Sequence, residues 1–170
     1  MKKIVILGSS GSGKSYLSKK LSKELNIEVY HLDNLMRKSD WSPFSYNEKY
    51  RIQELILEND SWIIEGNYTN ILDKRLEEAD TIIFLNINKF KCIFNVIKRT
   101  ITYRNKDRSD KPTKAIDKFS LHLLKWTWDF DKNEKPLILK KVQRFSKMKQ
   151  IIILKSTKNT NNFIKGIVNY

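Results

Sequence analysis

The chain has 170 residues and carries 33 Lys/Arg against 19 Asp/Glu, a formal charge of +14. That length suits one domain with a sizeable core and is short for two, and no Pro/Gly/Ser-rich linker divides it, so residues 1–170 are expected to form a single unit. Only four apolar residues follow Met1-Lys2-Lys3. This is too few for a secretory signal, and no apolar stretch approaches the ~20 residues that cross a bilayer. A soluble, cytoplasmic protein without a membrane partner is expected, with the lone Cys92 serving as a small core side chain. The charge is uneven: residues 1–88 sum to −1 and residues 89–170 to +15. Either the second half faces an anionic partner, or a Lys/Asn/Ile-rich composition has inflated a solvated surface.

In chain order, the first predicted strand is residues 3–7, the run Lys3-Ile4-Val5-Ile6-Leu7. It opens directly into Gly8-Ser9-Ser10-Gly11-Ser12-Gly13-Lys14-Ser15, which fits G-x-x-x-x-G-K-[ST] without a mismatch. Such a loop can turn its backbone N–H groups inward around a phosphate. The helix expected to start near Lys14 carries Leu17, Leu21 and Leu25 on one face and points its positive dipole end at the same anion. A nucleoside triphosphate, ATP with Mg²⁺, is therefore expected along Gly8 to Tyr16. Lys14 would bridge the β- and γ-phosphates, and the Ser15 hydroxyl would be a metal ligand.

The second predicted strand, about 27–32, ends at His31-Leu32-Asp33. Asp33 can take the proton of an attacking hydroxyl or orient an acceptor, and it equally suits the N-cap of a short helix from about Asn34. His31 reads as packed against the sheet. A helix at about 46–58 has Ile52, Leu55 and Ile56 as its apolar face. The third strand, 61–65, runs into Glu65-Gly66-Asn67-Tyr68, where an acid at the strand end can hold a metal-bound water and the glycine lets an acceptor approach the backbone. A plain turn is the other reading of those residues. A short helix at 70–78 and a strand at 80–86 follow.

The helix predicted at 89–103 shows Phe90, Ile93, Phe94, Ile97 and Ile101 at amphipathic spacing. At its end and beyond it, Arg99, Arg104 and Arg108 fall where a lid of about 99–113 would bring guanidinium forks to a transferring phosphoryl group and exclude water. Helices at about 114–130 and 136–148 come next, and Trp126 reads as core rather than as a nucleobase platform. A strand at 150–154 and a helix at 158–168 close the chain, with Ser156 to Asn159 the expected neighbourhood of the nucleobase. Strand alternating with helix implies a parallel sheet covered on both faces, with ligands beyond the carboxyl ends of its strands.

These residues resemble the adenylate-kinase-like branch of P-loop kinases, and more closely the bacterial DNA topology modulation proteins. The resemblance is carried by Gly8 to Ser15, VYHLDNL at 29–35, WIIEGNY at 62–68, LDKRLEEADTIIFLN at 72–86, the arginines of 99–108 and KWTWDF at 125–130. It implies an α/β three-layer P-loop NTPase fold, a five-stranded parallel sheet in the order 2-3-1-4-5 with helices on both faces, and an arginine-bearing lid. Similar proteins have Asp where this chain has Glu65, and the paired arginines of an AMP-binding segment find no match. The expected activity is transfer of a phosphoryl group to a small nucleoside, nucleotide or other small-molecule acceptor. Lys14, Asp33, Arg99, Arg104 and Arg108 would act in catalysis, Ser15 and Glu65 would hold the metal, and Arg37, Gly66, Asn67, Tyr68 and Arg75 would line the acceptor pocket. The alternative is a nucleic-acid-associated nucleotide switch that modulates DNA topology.

Overall fold

The computed structural model describes residues 1–38, 42–102 and 121–168. Five strands form one parallel sheet: β1 (Lys3–Gly8), β2 (Val29–His31), β3 (Trp62–Glu65), β4 (Thr81–Leu85) and β5 (Gln150–Leu154), in the order β2-β3-β1-β4-β5. The expected α/β architecture and strand order are both present. The β-branched runs of β1, β3 and β4 are buried on both faces, as strands inside a covered parallel sheet must be.

Their period of two sorts the core into layers. Val5, Leu7, Trp62, Ile64, Ile82 and Phe84 face one side, where α3 (Tyr46–Leu57), α4 (Leu72–Glu78), α6 (Leu121–Asn133) and α7 (Lys135–Gln143) contribute Ile56, Leu76, Phe130 and Ile138. Ile4, Ile6, Ile63, Ile83 and Leu85 face the other, against Leu17 and Leu21 of α1 (Lys14–Leu25), Cys92 of α5 (Lys89–Thr102) and Ile164 of α8 (Thr157–Val168). Local chemistry sets the ends of several helices. Ser45 and Glu48 form a reciprocal capping box at α3, and Asn26 closes α1 in the left-handed region at φ 53°.

Two helices are rotated away from the sequence expectation. In α5, Cys92 and Val96 are the buried residues, while Phe90, Phe94, Ile97 and Ile101 are exposed. The phosphate loop fixes this rotation. A Cβ on Gly11, at φ 74°, would overlap the Cys92 carbonyl oxygen, and Asn95 Nδ2 donates to Gly11 O at 2.8 Å. The Cys92-Asn95-Val96-Arg99 face is therefore turned to the loop, and the Phe/Ile stripe moves outward, where Phe90 meets Trp128 of α6 edge-to-face at 5.7 Å. In α3, Leu55 is exposed, and Gln53 joins Ile56 and Leu57 in the interior, its Nε2 donating to Ile71 O at 3.0 Å.

α6 begins at Leu121, so the first part of the helix expected from 114 lies outside the described residues, as do Arg104, Arg108 and the lid positions 103–113. Arg99 lies in the last turn of α5. Among the described residues, no helix is long and apolar enough to cross a membrane.

Candidate active site

Crossover connections bring the carboxyl ends of β1, β2 and β3 to one edge, with the 8–15 loop between β1 and α1. Gly13 caps α1 in the left-handed region at φ 98°, and Lys14 is the first helical residue, as the motif predicts. The Lys14 ammonium donates to Gly8 O and Ser9 O, each at 3.0 Å, which holds it over the loop mouth. The next hydroxyl, Ser15 Oγ, donates to Glu65 Oε1 at 3.0 Å.

Register explains Glu65. β2 and β3 pair His31 directly with Glu65, and His31 Nδ1 lies 2.8 Å from the same Oε1. Burial opposes ionisation of Glu65, but the His31 hydrogen bond, the nearby Lys14 charge and the Ser15 hydroxyl outweigh it and hold the carboxyl below its ordinary range. His31 thus partners the strand-end acid, a role its isolated position in the sequence did not reveal.

These groups open onto a cavity of about 850 Å³. From the loop, Ser10, Gly11, Gly13, Lys14, Ser15 and Tyr16 line it. Gly8, Ser9 and Ser12 lie behind that lining, with Ser9 and Ser12 buried, and shape the loop from within. The expected acceptor-side residues Asp33, Arg37, Gly66, Asn67 and Tyr68 line the cavity too, as does Arg99. Asp33 is not an N-cap. α2 (Leu32–Leu35) starts two residues before the expected Asn34, with His31 at the cap position and Asp33 exposed in the first turn.

Arg75 does not reach the cavity. Its guanidinium is fully buried in α4, where Nη1 donates to Gly66 O at 2.9 Å and Nη2 to Asn67 O at 2.5 Å and Tyr68 O at 3.4 Å. Burial draws its pKa down to about 9, which still leaves it cationic at neutral pH. It spans three successive carbonyls of the segment after β3 and fixes that segment's course. Within it, Gly66 sits at φ 129°, where a Cβ would press on Leu32 Cβ at 3.0 Å, and Tyr68 is held in the left-handed region at φ 38°.

Asn67 links this segment to the phosphate loop. Its Oδ1 accepts from Gly8 N and its Nδ2 donates to Gly8 O, both at 3.1 Å, so the side chain extends the β1–β3 ladder by one rung. This pair of hydrogen bonds to a backbone peptide had no sequence signal beyond the position of Asn67 two residues past the strand.

Sequence reasoning missed Thr69 and Asn70 in the turn Thr69–Ile71, Asn95 of α5, and the far wall of His122, Trp126 and Glu134. Trp126 packs against the core and Phe130 but also lines the cavity, so it is not purely interior. Ser156 to Asn159 does not line the cavity. It caps α8, with Asn159 N donating to Ser156 Oγ at 3.1 Å.

No protein-family profile and no curated protein matches the sequence. Solved structures do match, over nearly the whole chain. A shikimate kinase from Acinetobacter baumannii in complex with shikimate is 12% identical, with a TM-score of 0.64 over 99% of this chain and 92% of that one. A gluconokinase from Sinorhizobium meliloti is 13% identical with a TM-score of 0.55, over 99% and 90%. A shikimate kinase from Aquifex aeolicus is 19% identical with a TM-score of 0.51, over 98% and 94%. The narrower resemblance to DNA topology modulation proteins gains no support from these likenesses. What they establish is architecture: the chain has the fold of the P-loop kinases.

Proposed function

We propose that this protein is an ATP- and Mg²⁺-dependent phosphotransferase acting on a small-molecule hydroxyl. The observation that carries the reading is the Ser15–Glu65 contact of 3.0 Å beside the Lys14 ammonium, at the carboxyl edge of the sheet. It gathers a hydroxyl, an ionised carboxylate and a cation at the phosphate loop, and the hard oxygen donors fit Mg²⁺. Ser15 would ligate the ion directly and Glu65 through a water, and Mg²⁺ bound there would neutralise charge on the β- and γ-phosphate oxygens.

The protein's own groups account for the rest. Lys14 exchanges its two loop carbonyls for phosphate oxygens, and the amides of Gly11 and Gly13 face the same anion. Arg99, one turn beyond Asn95, adds a guanidinium from α5. Asp33 orients the acceptor hydroxyl and takes its proton. Arg104 and Arg108 remain candidates for closing the site and shielding it from water. A cytoplasmic location accords with this chemistry.

The nucleic-acid reading rests on the +15 charge of residues 89–170, and no site geometry among the described residues adds to it. The deciding experiment measures ADP formation with ATP, Mg²⁺ and a panel of polyols, sugar acids, amino sugars, nucleosides and nucleotides. Acceptor-dependent ADP that Lys14→Ala abolishes is the expected result. Acceptor-independent rates equal in wild type and Lys14→Ala would reject the proposal.

A further inference from the structure

The acceptor end of the cavity departs from the strongly basic chain around it. Two carboxylates face it, Asp33 from α2 and Glu134 at the cap of α7. Glu134 is half-buried, and among the described residues its carboxylate accepts a single hydrogen bond, from the Thr69 hydroxyl, Oγ1 to Oε2 at 3.3 Å. Among the described residues, neither carboxylate has an ion-pair partner, in a protein with 33 Lys/Arg. Asp33 is exposed and can rest on water, but the half-buried Glu134 is of a kind that is ordinarily paired, because desolvating a charge without compensation is costly.

The cations near this end are Arg37, which lines the cavity beside Tyr68, and Lys49, which stands over the Tyr68 ring at 5.9 Å. Arg75 is turned into the interior. Trp126 shares the cavity lining with Glu134. His122, Trp126 and Glu134 also border an adjoining cleft of about 240 Å³ that holds Lys125 and a further carboxylate, Asp129. An unpaired carboxylate next to an aromatic face is a receptor for an ammonium group, through charge and cation–π attraction together.

Resting on the phosphotransferase reading, we infer that the acceptor is a hydroxylated amine, an amino sugar or amino alcohol, with its ammonium between Glu134 and Trp126 and its hydroxyl presented to Asp33. In the transfer, the acceptor oxygen bonds to the γ-phosphorus of ATP and the bond from that phosphorus to the β–γ bridging oxygen breaks. The bridging oxygen keeps the electron pair as ADP leaves. The hydroxyl proton passes to Asp33 and then to solvent. Acceptors bearing a carboxylate or phosphate would set a second negative charge against Glu134.

The test uses matched acceptors on one skeleton: glucosamine, glucose and gluconate, then ethanolamine, ethylene glycol and glycolate, with AMP alongside. The expected result is a kcat/KM at least about tenfold higher for the amine of a set, a discrimination of ~1.4 kcal/mol. In Glu134→Gln that preference should fall to within about twofold, with the KM for ATP unchanged, which reports an intact fold and nucleotide site. Preference for a neutral or anionic acceptor, or an amine preference that survives Glu134→Gln, overturns this inference and leaves the phosphotransferase standing. ADP formation that depends on no acceptor in any class overturns both.

Discussion

Replacing Arg75 by Met keeps most of the side chain's length and removes its charge and its fork of donors. In the wild type the guanidinium serves Gly66 O and Asn67 O at 2.9 and 2.5 Å, with Tyr68 O more distant at 3.4 Å. Hydrogen bonds to charged groups contribute about 1.5–3 kcal/mol, and a buried acceptor left bare loses about 1–3 kcal/mol. Against this, Met relieves the cost of keeping a cation in the interior, the same cost that draws the Arg75 pKa down to about 9. The two short bonds outweigh that relief, for a net loss of about 2–4 kcal/mol, or roughly 5–15 °C in Tm for a chain of this size. The effect should also travel. Asn67 is held by Arg75 at its carbonyl and grips Gly8 with its side chain, so relaxing the segment loosens the phosphate loop. ATP affinity is expected to fall about tenfold, or ~1.4 kcal/mol. Urea unfolding with the m-value monitored, together with calorimetric titration of ATP, reads both quantities. Arg75→Lys, which keeps the charge but not the fork, should recover part of the stability. If Arg75→Met unfolds within 0.5 kcal/mol, an ordinary surface-substitution effect, and binds ATP like wild type, the positioning role assigned to the guanidinium is wrong.

Other outcomes follow from the same geometry. Asn67→Ala removes both bonds to the Gly8 peptide and should weaken ATP binding by about 1–2 kcal/mol, roughly 5- to 30-fold by calorimetry, while Asn67→Asp sets a carboxylate against Gly8 O and should be no better. Gly11→Ala drives a Cβ into the Cys92 carbonyl at a positive φ, and an apparent loss of more than ~2 kcal/mol in denaturant unfolding, with ATP binding abolished, is expected. For Glu65, the folded-state pKa lies below the ordinary value of 4.5, so its stabilisation is complete above pH 4.5 and disappears as pH falls through the folded value. The stability gap between wild type and Glu65→Gln should therefore be constant at neutral pH and close on acidification, and a gap that widens below pH 4.5 would contradict the assigned ion environment. Ser15→Ala leaves the His31–Glu65 contact in place, and it should cost Mg²⁺-dependent ATP affinity with little change in Tm.

The phosphate loop was legible because its geometry is written in residue type: glycines take positive φ, and the Lys-Ser pair follows at fixed spacing. The inner strands β1, β3 and β4 were legible because only β-branched and apolar runs tolerate burial on both faces. The rotation of α5 was not, since the residue that decides it is Gly11, some eighty positions earlier, and close backbone contact there overrides an otherwise regular Phe/Ile stripe. Arg75 was read as a pocket residue because type and neighbourhood alone cannot tell a guanidinium aimed at a ligand from one aimed at three carbonyls. The far wall escaped for a different reason. Thr69 and the group His122, Trp126 and Glu134 come from two separated segments, and none carries a spacing rule.

One peptide joins the two ends of the site. Gly8 closes β1 and opens the phosphate loop, and the Asn67 amide that pairs with it belongs to the segment whose next residue, Tyr68, forms the acceptor wall. Gly66, Asn67 and Tyr68 carry the carbonyls that Arg75 collects, so loop, rung and wall share a single buried anchor. A shift at Gly8 when phosphate replaces the Lys14–carbonyl contacts must be absorbed by Asn67 or passed to Tyr68. Absorption is opposed by two hydrogen bonds on one side and a guanidinium on the other. On the proposed function, nucleotide occupancy and the position of Tyr68 are expected to be coupled, and linkage requires the coupling to be reciprocal: whatever factor ATP contributes to acceptor affinity, the acceptor returns to ATP. Asn67→Ala should bring that factor towards one while each ligand still binds alone.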